Sequence, residues 1–130
     1  MHTFGELVGI IAELRGDHGC PWDKEQTHES LKQCLADESQ EVYEAIDKGD
    51  MENLCEELGD VMLQVLLHSR IAEEAGAFTI DDVIEGLSQK MIRRHPHVFG
   101  DAKVNTPEES LALWEAIKAE EKKEKEQQIF

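Results

Sequence analysis

A two-residue joint, Gly49-Asp50, separates two long stretches of sequence in which apolar residues recur at helical spacing. Glycine favours the left-handed backbone that ends a helix, and aspartate commonly caps the start of the next one. We therefore expect one helix from about Thr27 or His28 to Lys48 and a second from Asp50 to Ala75. A joint this short forces two long helices into an antiparallel hairpin.

Each helix of this hairpin carries two carboxylates spaced three residues apart. Glu38 and Glu41 lie on the first helix, and Glu57 and Asp60 lie on the second. This spacing places both carboxylates of a pair on one helix face. Because Glu41 and Glu57 each lie about eight residues from the joint, the two pairs should meet at similar heights on facing helices.

Apolar residues flank both pairs and mark the faces that are expected to pack inward. They are Leu31, Leu35, Val42, Ala45 and Ile46 on the first helix, and Leu54, Leu58, Val61, Met62 and Val65 on the second. Four negative charges at the edge of a buried face cost free energy unless a positive charge lies among them. A hard divalent cation with oxygen ligands fits such a set, with Mg²⁺ as the natural candidate and Mn²⁺ as a substitute.

Three further helices are predicted from their start and stop signals. One is capped by Thr3, with a capping box, and stops at Gly16. Another is capped by Thr79 and ended by Pro96, and the last begins at Thr106. Since no strand pattern and no internal repeat is present, the predicted fold is all-α, similar to a four-helix bundle with an additional C-terminal helix.

Two segments lie outside this regular pattern. Residues 16–24 contain two glycines and a proline and are predicted to form an irregular loop. Either Trp22, Asp23 and Lys24 form a lip over a site, or Trp22 anchors the loop on the core. Residues 118–130 begin with a Glu/Lys run and are predicted to form a charged, solvated or frayed tail.

Charge and composition exclude several classes of protein. Lys and Arg number 13 against 29 Asp and Glu, which gives a formal net charge of −16. Such a surface repels nucleic-acid polymers, and it repels nucleotide phosphates unless metal ions or a local basic patch intervene. The 130 residues are expected to form a single domain. No apolar run approaches the ~18 residues of a membrane span and no signal-peptide pattern is present, so we expect a soluble, cytoplasmic protein.

One basic cluster interrupts the acidic background. Lys90, Arg93 and Arg94 fall in the last turn of the fourth helix, immediately before His95 and His97. Cations in a last turn commonly compensate the helix dipole. Because three cations and two histidines exceed that need, anion binding is the favoured interpretation, and dipole compensation is the alternative.

The motifs of other nucleotide and metal enzymes are absent. The sequence contains no GxxxxGK(S/T), GxGxxG or HExxH. His95 and His97 have no cysteine or third histidine nearby in sequence, which disfavours a zinc site. A single Glu-x-x-His, from Glu25 to His28, does not supply the two such motifs of a ferritin-like di-iron bundle.

Several separated segments resemble the MazG nucleotide pyrophosphohydrolases of the all-α NTP pyrophosphatase superfamily. Glu-Ser-Gln-Glu at 38–41, followed after fifteen residues by Glu-Leu-Gly-Asp, is similar to the ExxE…ExxD signature of this family. The other similar segments are residues 19–27, 41–46, 93–99 and 114–118. The resemblance extends over nearly the whole chain, which would then hold one copy of the domain. One departure is Asp37, where the family often has glutamate.

The resemblance implies hydrolysis of ribo- or deoxyribonucleoside triphosphates to the monophosphate and pyrophosphate, and a homodimer or tetramer. The residues that it implies for Mg²⁺ binding and catalysis are Glu38, Glu41, Glu57 and Asp60. Those that it implies for binding the phosphates and the nucleotide are Lys90, Arg93, Arg94, Trp114 and Lys118. Trp22 is added to this set because of its predicted place at the lip of the site. Mg²⁺ would neutralise the triphosphate and activate water, or one carboxylate would act as general base. The alternative is a non-catalytic nucleotide-binding or regulatory module of the same fold.

Overall fold

The computed structural model describes residues 1–128, which form helices and no strand. The helices are α1 (Phe4–Leu14), α2 (Pro21–Glu25), α3 (Lys32–Lys48), α4 (Met51–Glu74), α5 (Ile80–Arg94), α6 (Pro96–Phe99) and α7 (Pro107–Gln128). The predicted all-α fold is therefore confirmed. Ile129 and Phe130, the end of the predicted tail, lie outside the described residues.

The joint between α3 and α4 has the predicted backbone. Gly49 ends α3 with a φ of 66°, in the left-handed region that glycine adopts without steric cost. The backbone N–H groups of Gly49 and Asp50 donate to the carbonyl oxygens of Ile46 and Ala45 at 3.1 and 3.0 Å. These bonds satisfy carbonyl groups that the end of a helix would otherwise leave unpaired. The two helices then pack along one another as a hairpin.

The predicted caps are also present. Asp50 Oδ1 accepts a hydrogen bond from the backbone N–H of Asn53 at 3.1 Å, which starts α4. The Thr3 and Thr106 hydroxyls each accept one, also at 3.1 Å, from the backbone N–H three residues further on. The starts of α1, α4 and α7 are thus fixed by side chains that satisfy the first free N–H groups of each helix.

Three helix boundaries differ from the prediction. Residues 16–24, predicted as an irregular loop, include the start of α2, because a proline at the first helical position gives up an N–H that would be unpaired there anyway. The same applies to Pro96, which follows the end of α5 as predicted but also opens the short helix α6, which was not predicted. Helix α3 begins at Lys32, later than predicted, because Thr27 and Ser30 form a turn in which each side chain accepts from the other's backbone N–H.

Helix α7 continues through the Glu/Lys run without interruption as far as Gln128. The alternative of a frayed end for residues 118–128 is therefore not what the structure shows, although most side chains of residues 118–127 are exposed. Like the other helices of residues 1–128, α7 lacks the length of apolar sequence that crossing a membrane requires.

The chain divides into two compact units, residues 1–81 and residues 82–130. In the first unit, α1 packs against α4 around a core whose buried side chains are Ile11, Leu31, Leu66 and Leu67. Partly buried residues packed against these include Leu7, Leu14, Cys34, Leu63 and Ile80. That the whole chain acts as a single domain stays a prediction.

Only part of the predicted inward face of the hairpin is buried. Leu31 and Ala45 are fully buried, as predicted. A second set is between 38% and 55% exposed and forms what we call the exposed apolar stripe: Leu35, Ile46, Leu58, Met62 and Val65. The prediction that these five residues pack inward is wrong for the single chain, because α1 packs along the side of α4 that carries Leu66 and Leu67.

Candidate functional site

Helices α3 and α4 bring the four predicted carboxylates together. One oxygen atom from each of the four lies within 4.8 Å of the others: Glu38, Glu41, Glu57 and Asp60. Each pair comes from successive turns of one helix, and the short joint sets both pairs at the same height. The structure thus forms the acidic cluster expected from the sequence, while its role as a metal site stays a prediction.

The carboxylates of this cluster differ in exposure. Glu57 is 9% exposed, Glu38 and Asp60 are half-buried, and Glu41 is exposed. Glu38 Oε2 and Glu57 Oε2 are buried and have no hydrogen-bond partner among the described residues. A buried carboxylate oxygen without a partner is costly. A cation between the helices would remove that cost.

The crowding of these groups raises the pKa of two of them. The pKa of Glu57 rises to about 7, first because protonated Glu57 can hydrogen-bond the neighbouring Glu41 carboxylate, and then because of burial. Burial also raises the pKa of Glu38, and repulsion by Glu41 and Asp60 adds to it. Without a cation, the cluster therefore tends to hold protons near neutral pH.

The donor set fits a hard divalent cation. All four groups are carboxylates, and the cluster contributes neither a histidine nitrogen nor a cysteine sulfur. Oxygen ligands of this kind suit Mg²⁺ and Mn²⁺, whereas zinc and softer metals favour nitrogen and sulfur. The two buried oxygens without partners show that residues 1–128 do not themselves satisfy the cluster.

The second unit contains the basic cluster, in which Arg93 and Arg94 both pair with Glu121. Arg94 donates to Glu121 Oε2 from Nη2 at 2.8 Å and from Nε at 3.2 Å. Arg93 donates from Nε to the other oxygen, Oε1. The hydrogen bonds from Arg93 and then Arg94 lower the pKa of Glu121 to about 2. Sequence analysis did not single out Glu121, since it stands in a Glu/Lys run that has no pattern to distinguish it.

Trp114 lies against the same arginine. The guanidinium carbon of Arg94 is 5.0 Å from the centroid of the Trp114 ring, which is within range of a cation–π contact. The His95 ring meets the Trp114 ring edge-on at a centroid distance of 5.3 Å. His95 Nδ1 is in turn 2.6 Å from the carbonyl oxygen of Met91. The structure thus groups two residues that the sequence placed far apart, Arg94 and Trp114.

Two open cavities of the second unit share Arg94, Glu121 and Lys125. One, of about 400 Å³, is also lined by Glu115, Lys118, Ala119 and Lys122. The other, of about 380 Å³, is also lined by Lys90, Arg93 and Glu124. Together these walls carry six basic and three acidic residues. This local excess of positive charge favours anion binding over simple compensation of a helix dipole.

Trp22 belongs to the first unit and lies at its surface. Its side chain is 55% exposed and lines an open cavity of about 600 Å³. The alternative that Trp22 anchors its loop on the core is therefore wrong. Arg15 holds the loop instead, because it donates to the carbonyl oxygens of Asp23 and Gln26 at 2.5 and 3.1 Å while it pairs with Glu74 at 2.9 Å.

Comparison with known proteins gives matches in both sequence and structure. The sequence profile of the MazG nucleotide pyrophosphohydrolase domain matches residues 26–99, which include the four carboxylates and the three cations at the end of α5. Over 122 residues the chain is 56% identical to the nucleoside triphosphate pyrophosphohydrolase/pyrophosphatase MazG of Thermotoga maritima. Over 128 residues it is 41% identical to the nucleoside triphosphate pyrophosphohydrolase of Escherichia coli. Both matches cover more than nine-tenths of the chain, at 94% and 98%.

A third relative, the uncharacterized protein YabN of Bacillus subtilis, is 57% identical over 129 residues, or 99% of this chain. The chain spans only 26% of that relative and 46% and 49% of the other two. Among solved structures, the crystal structure of a mazG-related protein from Thermotoga maritima matches with a TM-score of 0.71 and 33% identity. That match covers 88% of this chain and 98% of the other. The chain therefore belongs to the MazG nucleotide pyrophosphohydrolase domain family.

Proposed function

We propose that the protein is a Mg²⁺-dependent nucleoside triphosphate pyrophosphohydrolase, which converts a ribo- or deoxyribonucleoside triphosphate and water to the monophosphate and pyrophosphate. The observation that carries this proposal is the acidic cluster, in which four carboxylates meet within 4.8 Å. Two of its buried oxygens lack a partner among the described residues. The family, and the names of relatives from Thermotoga maritima and Escherichia coli, support the same reaction.

In this proposal the acidic cluster holds the cation and orients the reacting phosphate. When bound, Mg²⁺ neutralises phosphate charge and makes the attacking water more acidic. Helices α3 and α4 fix the ligand positions before the metal arrives, so little ordering remains to be done on binding. An ionised carboxylate of the cluster that is not fully engaged by the cation is placed to accept the proton of that water.

The basic cluster supplies the charge that binds the substrate phosphates. Lys90, Arg93 and Arg94 are the phosphate-binding residues, since they line one cavity of positive character at the end of α5. Lys118 lines the neighbouring cavity and adds to the same positive surface. We assign Trp114 and Trp22 to nucleotide binding, because Trp114 contacts the Arg94 guanidinium and Trp22 exposes its ring. Residues 1–130 then act as one MazG-type domain.

We further propose that the chain works as a homodimer or tetramer in the cytoplasm. The exposed apolar stripe supports an oligomer, because Leu58, Met62 and Val65 recur at helical spacing on α4 and form one continuous apolar face. Contiguous apolar surface of this kind is a common mark of protein–protein contact.

The reaction is tested by measuring pyrophosphate release from a mixture of nucleoside triphosphates with and without Mg²⁺. We expect release that requires the cation and that disappears in Asp60→Asn, a variant of the same size without the charge. Nucleotide binding without any release of pyrophosphate would instead identify a non-catalytic nucleotide-binding module of the same fold.

A further inference from the structure

We propose that Glu121 is an autoinhibitory residue, whose carboxylate occupies the anion-binding groups of Arg93 and Arg94 and leaves them when a phosphate binds. This inference rests on the proposed function, because it takes the two arginines to hold substrate phosphates. It adds a residue from α7 that regulates access to those arginines.

The contacts of Glu121 are those that a bound phosphate would make. One carboxylate oxygen meets Arg94 at 2.8 and 3.2 Å, and the other meets Arg93. Guanidinium groups bind carboxylates and phosphates through the same planar fork of N–H donors. A phosphate that engages this edge of Arg94 must therefore take the place of Glu121.

Helix α7 holds the carboxylate at this position. Trp114 and Glu121 lie two turns apart on one face of the helix, and both contact Arg94. The side chains of Arg94 and Glu121 are 14% and 17% exposed, so the pair is only partly exposed to water. The pKa of Glu121, about 2, keeps its carboxylate ionised at any physiological pH.

Two lysines of α7 offer the Glu121 carboxylate a second ion-pairing position. Lys118 and Lys125 precede and follow it by three and four residues on α7, the spacing at which oppositely charged side chains pair along a helix. Both lysines line the cavity beside the pair. A carboxylate displaced from the arginines can therefore turn to a lysine of its own helix, while the incoming anion keeps both guanidinium groups neutralised.

The test is the affinity of the full chain for inorganic pyrophosphate, measured by titration calorimetry in EDTA, where no metal occupies the acidic cluster. We expect Glu121→Gln to bind pyrophosphate about fivefold more tightly than the wild type, the upper end of what a partly exposed ion pair contributes. Glu124→Gln is the matched control, because it removes the same charge from the same cavity wall. Among the described residues Glu124 makes no ion pair with either arginine, so its effect should be smaller. With substrate and Mg²⁺, Glu121→Gln should lower KM.

Other outcomes separate this inference from the proposed function. If Glu121→Gln binds no more tightly than Glu124→Gln, or binds more weakly with a lower kcat, Glu121 positions the arginines and the inference is wrong. If Arg93→Ala and Arg94→Ala leave pyrophosphate affinity unchanged, the assignment of phosphate binding to these arginines is wrong. A thermal melt checks folding, and Glu121→Asp is a second variant that keeps the charge but shortens its reach. Its affinity for pyrophosphate should lie between those of the wild type and Glu121→Gln.

Discussion

The guanidinium carbon of Arg94 lies 5.0 Å from the ring centroid of Trp114. This contact restrains a long side chain that would otherwise sample many rotamers, and binding then costs less conformational entropy. Arg94 is therefore held in place from one side by an aromatic ring and from another by the Glu121 carboxylate. Trp114 thus preorganises the residue that sequence analysis assigned to phosphate binding, whereas Glu121 occupies the donors that a phosphate would use.

Arg94→Ala tests whether this preorganised guanidinium acts in catalysis. We expect kcat/KM to fall on the order of 100-fold, the loss that typically follows removal of a donor to the charge that develops in a transition state. Arg94→Lys should recover only part of this loss, because an ammonium group lacks the planar fork. Steady-state kinetics beside a thermal melt decides the matter. If the Ala variant melts at a lower temperature but has a normal kcat/KM, Arg94 only compensates the dipole of α5.

Glu41→Ala and Asp60→Ala test the acidic cluster. Each variant should lose turnover while its helix content stays near that of the wild type, since removal of one of several like charges relieves repulsion. Turnover and far-ultraviolet circular dichroism are the two measurements. Glu44→Ala removes an exposed carboxylate from α3 outside the cluster and should retain activity. Full activity in the Glu41 and Asp60 variants would contradict a catalytic role for the cluster.

Magnesium should stabilise the folded protein through the same cluster. A ligand that binds only the folded state raises the free energy of unfolding by mass action, so millimolar Mg²⁺ should raise the melting temperature. The rise should be absent from the double variant Glu38→Gln/Glu57→Gln, which removes the two carboxylates that each bury an oxygen without a partner in the described part of the chain. An equal rise in the double variant would mean that Mg²⁺ only screens the net charge of −16.

The raised pKa of Glu57 predicts a pH dependence of stability in EDTA. Its carboxyl has a pKa of 4.5 when unperturbed and about 7 in the folded protein, so the folded state holds the proton more tightly. The stabilisation is complete below about pH 4.5 and is lost as the pH rises to about 7. The melting temperature of the wild type, measured relative to Glu57→Gln, should therefore fall across this range.

Two other groups bear on the interpretation of this pH experiment. Burial lowers the pKa of His68, which acts with the opposite sign, but His68 is present in both proteins and cancels in the difference. Glu56→Gln removes the exposed neighbouring carboxylate and should follow the wild type. A constant difference between the wild type and Glu57→Gln would show that the Glu57 pKa is not raised.

The exposed apolar stripe predicts a change of oligomeric state. Leu58→Lys should lower the molar mass measured by light scattering, because it places a charge in the middle of an apolar contact. Leu111→Lys is the matched control, since Leu111 is also an exposed leucine but lies on α7, outside the stripe. If the mass is unchanged by Leu58→Lys, the stripe is not the contact between subunits.

The hairpin and its carboxylates were predictable because local rules determine them. The left-handed backbone at Gly49 and the cap at Asp50 depend on single residues and their immediate neighbours. Once the joint is fixed, helical periodicity alone places Glu41 opposite Glu57. The start of α2 was not predicted, but it also depends on a single local residue, Pro21.

Contacts between distant residues were not predictable in this way. Glu121 is one of many glutamates in a charged run, and only the packing of α7 against the end of α5 gives it two arginine partners. Arg15 likewise shows no motif, yet it holds the loop beside Trp22. Periodicity identified Leu58 and Met62 as apolar helix positions, but it could not show which apolar face the single chain covers.

The short Gly49-Asp50 joint has a consequence for how the protein folds. All four carboxylates of the acidic cluster come from residues 38–60, so they meet through contacts between neighbouring parts of the chain. Local contacts of this kind form early, because little chain entropy is lost in closing the loop between them. The mutual repulsion of the carboxylates therefore opposes folding at the first pairing of α3 with α4. A divalent cation that is present at that moment should speed the collapse of the hairpin as well as stabilise its final state.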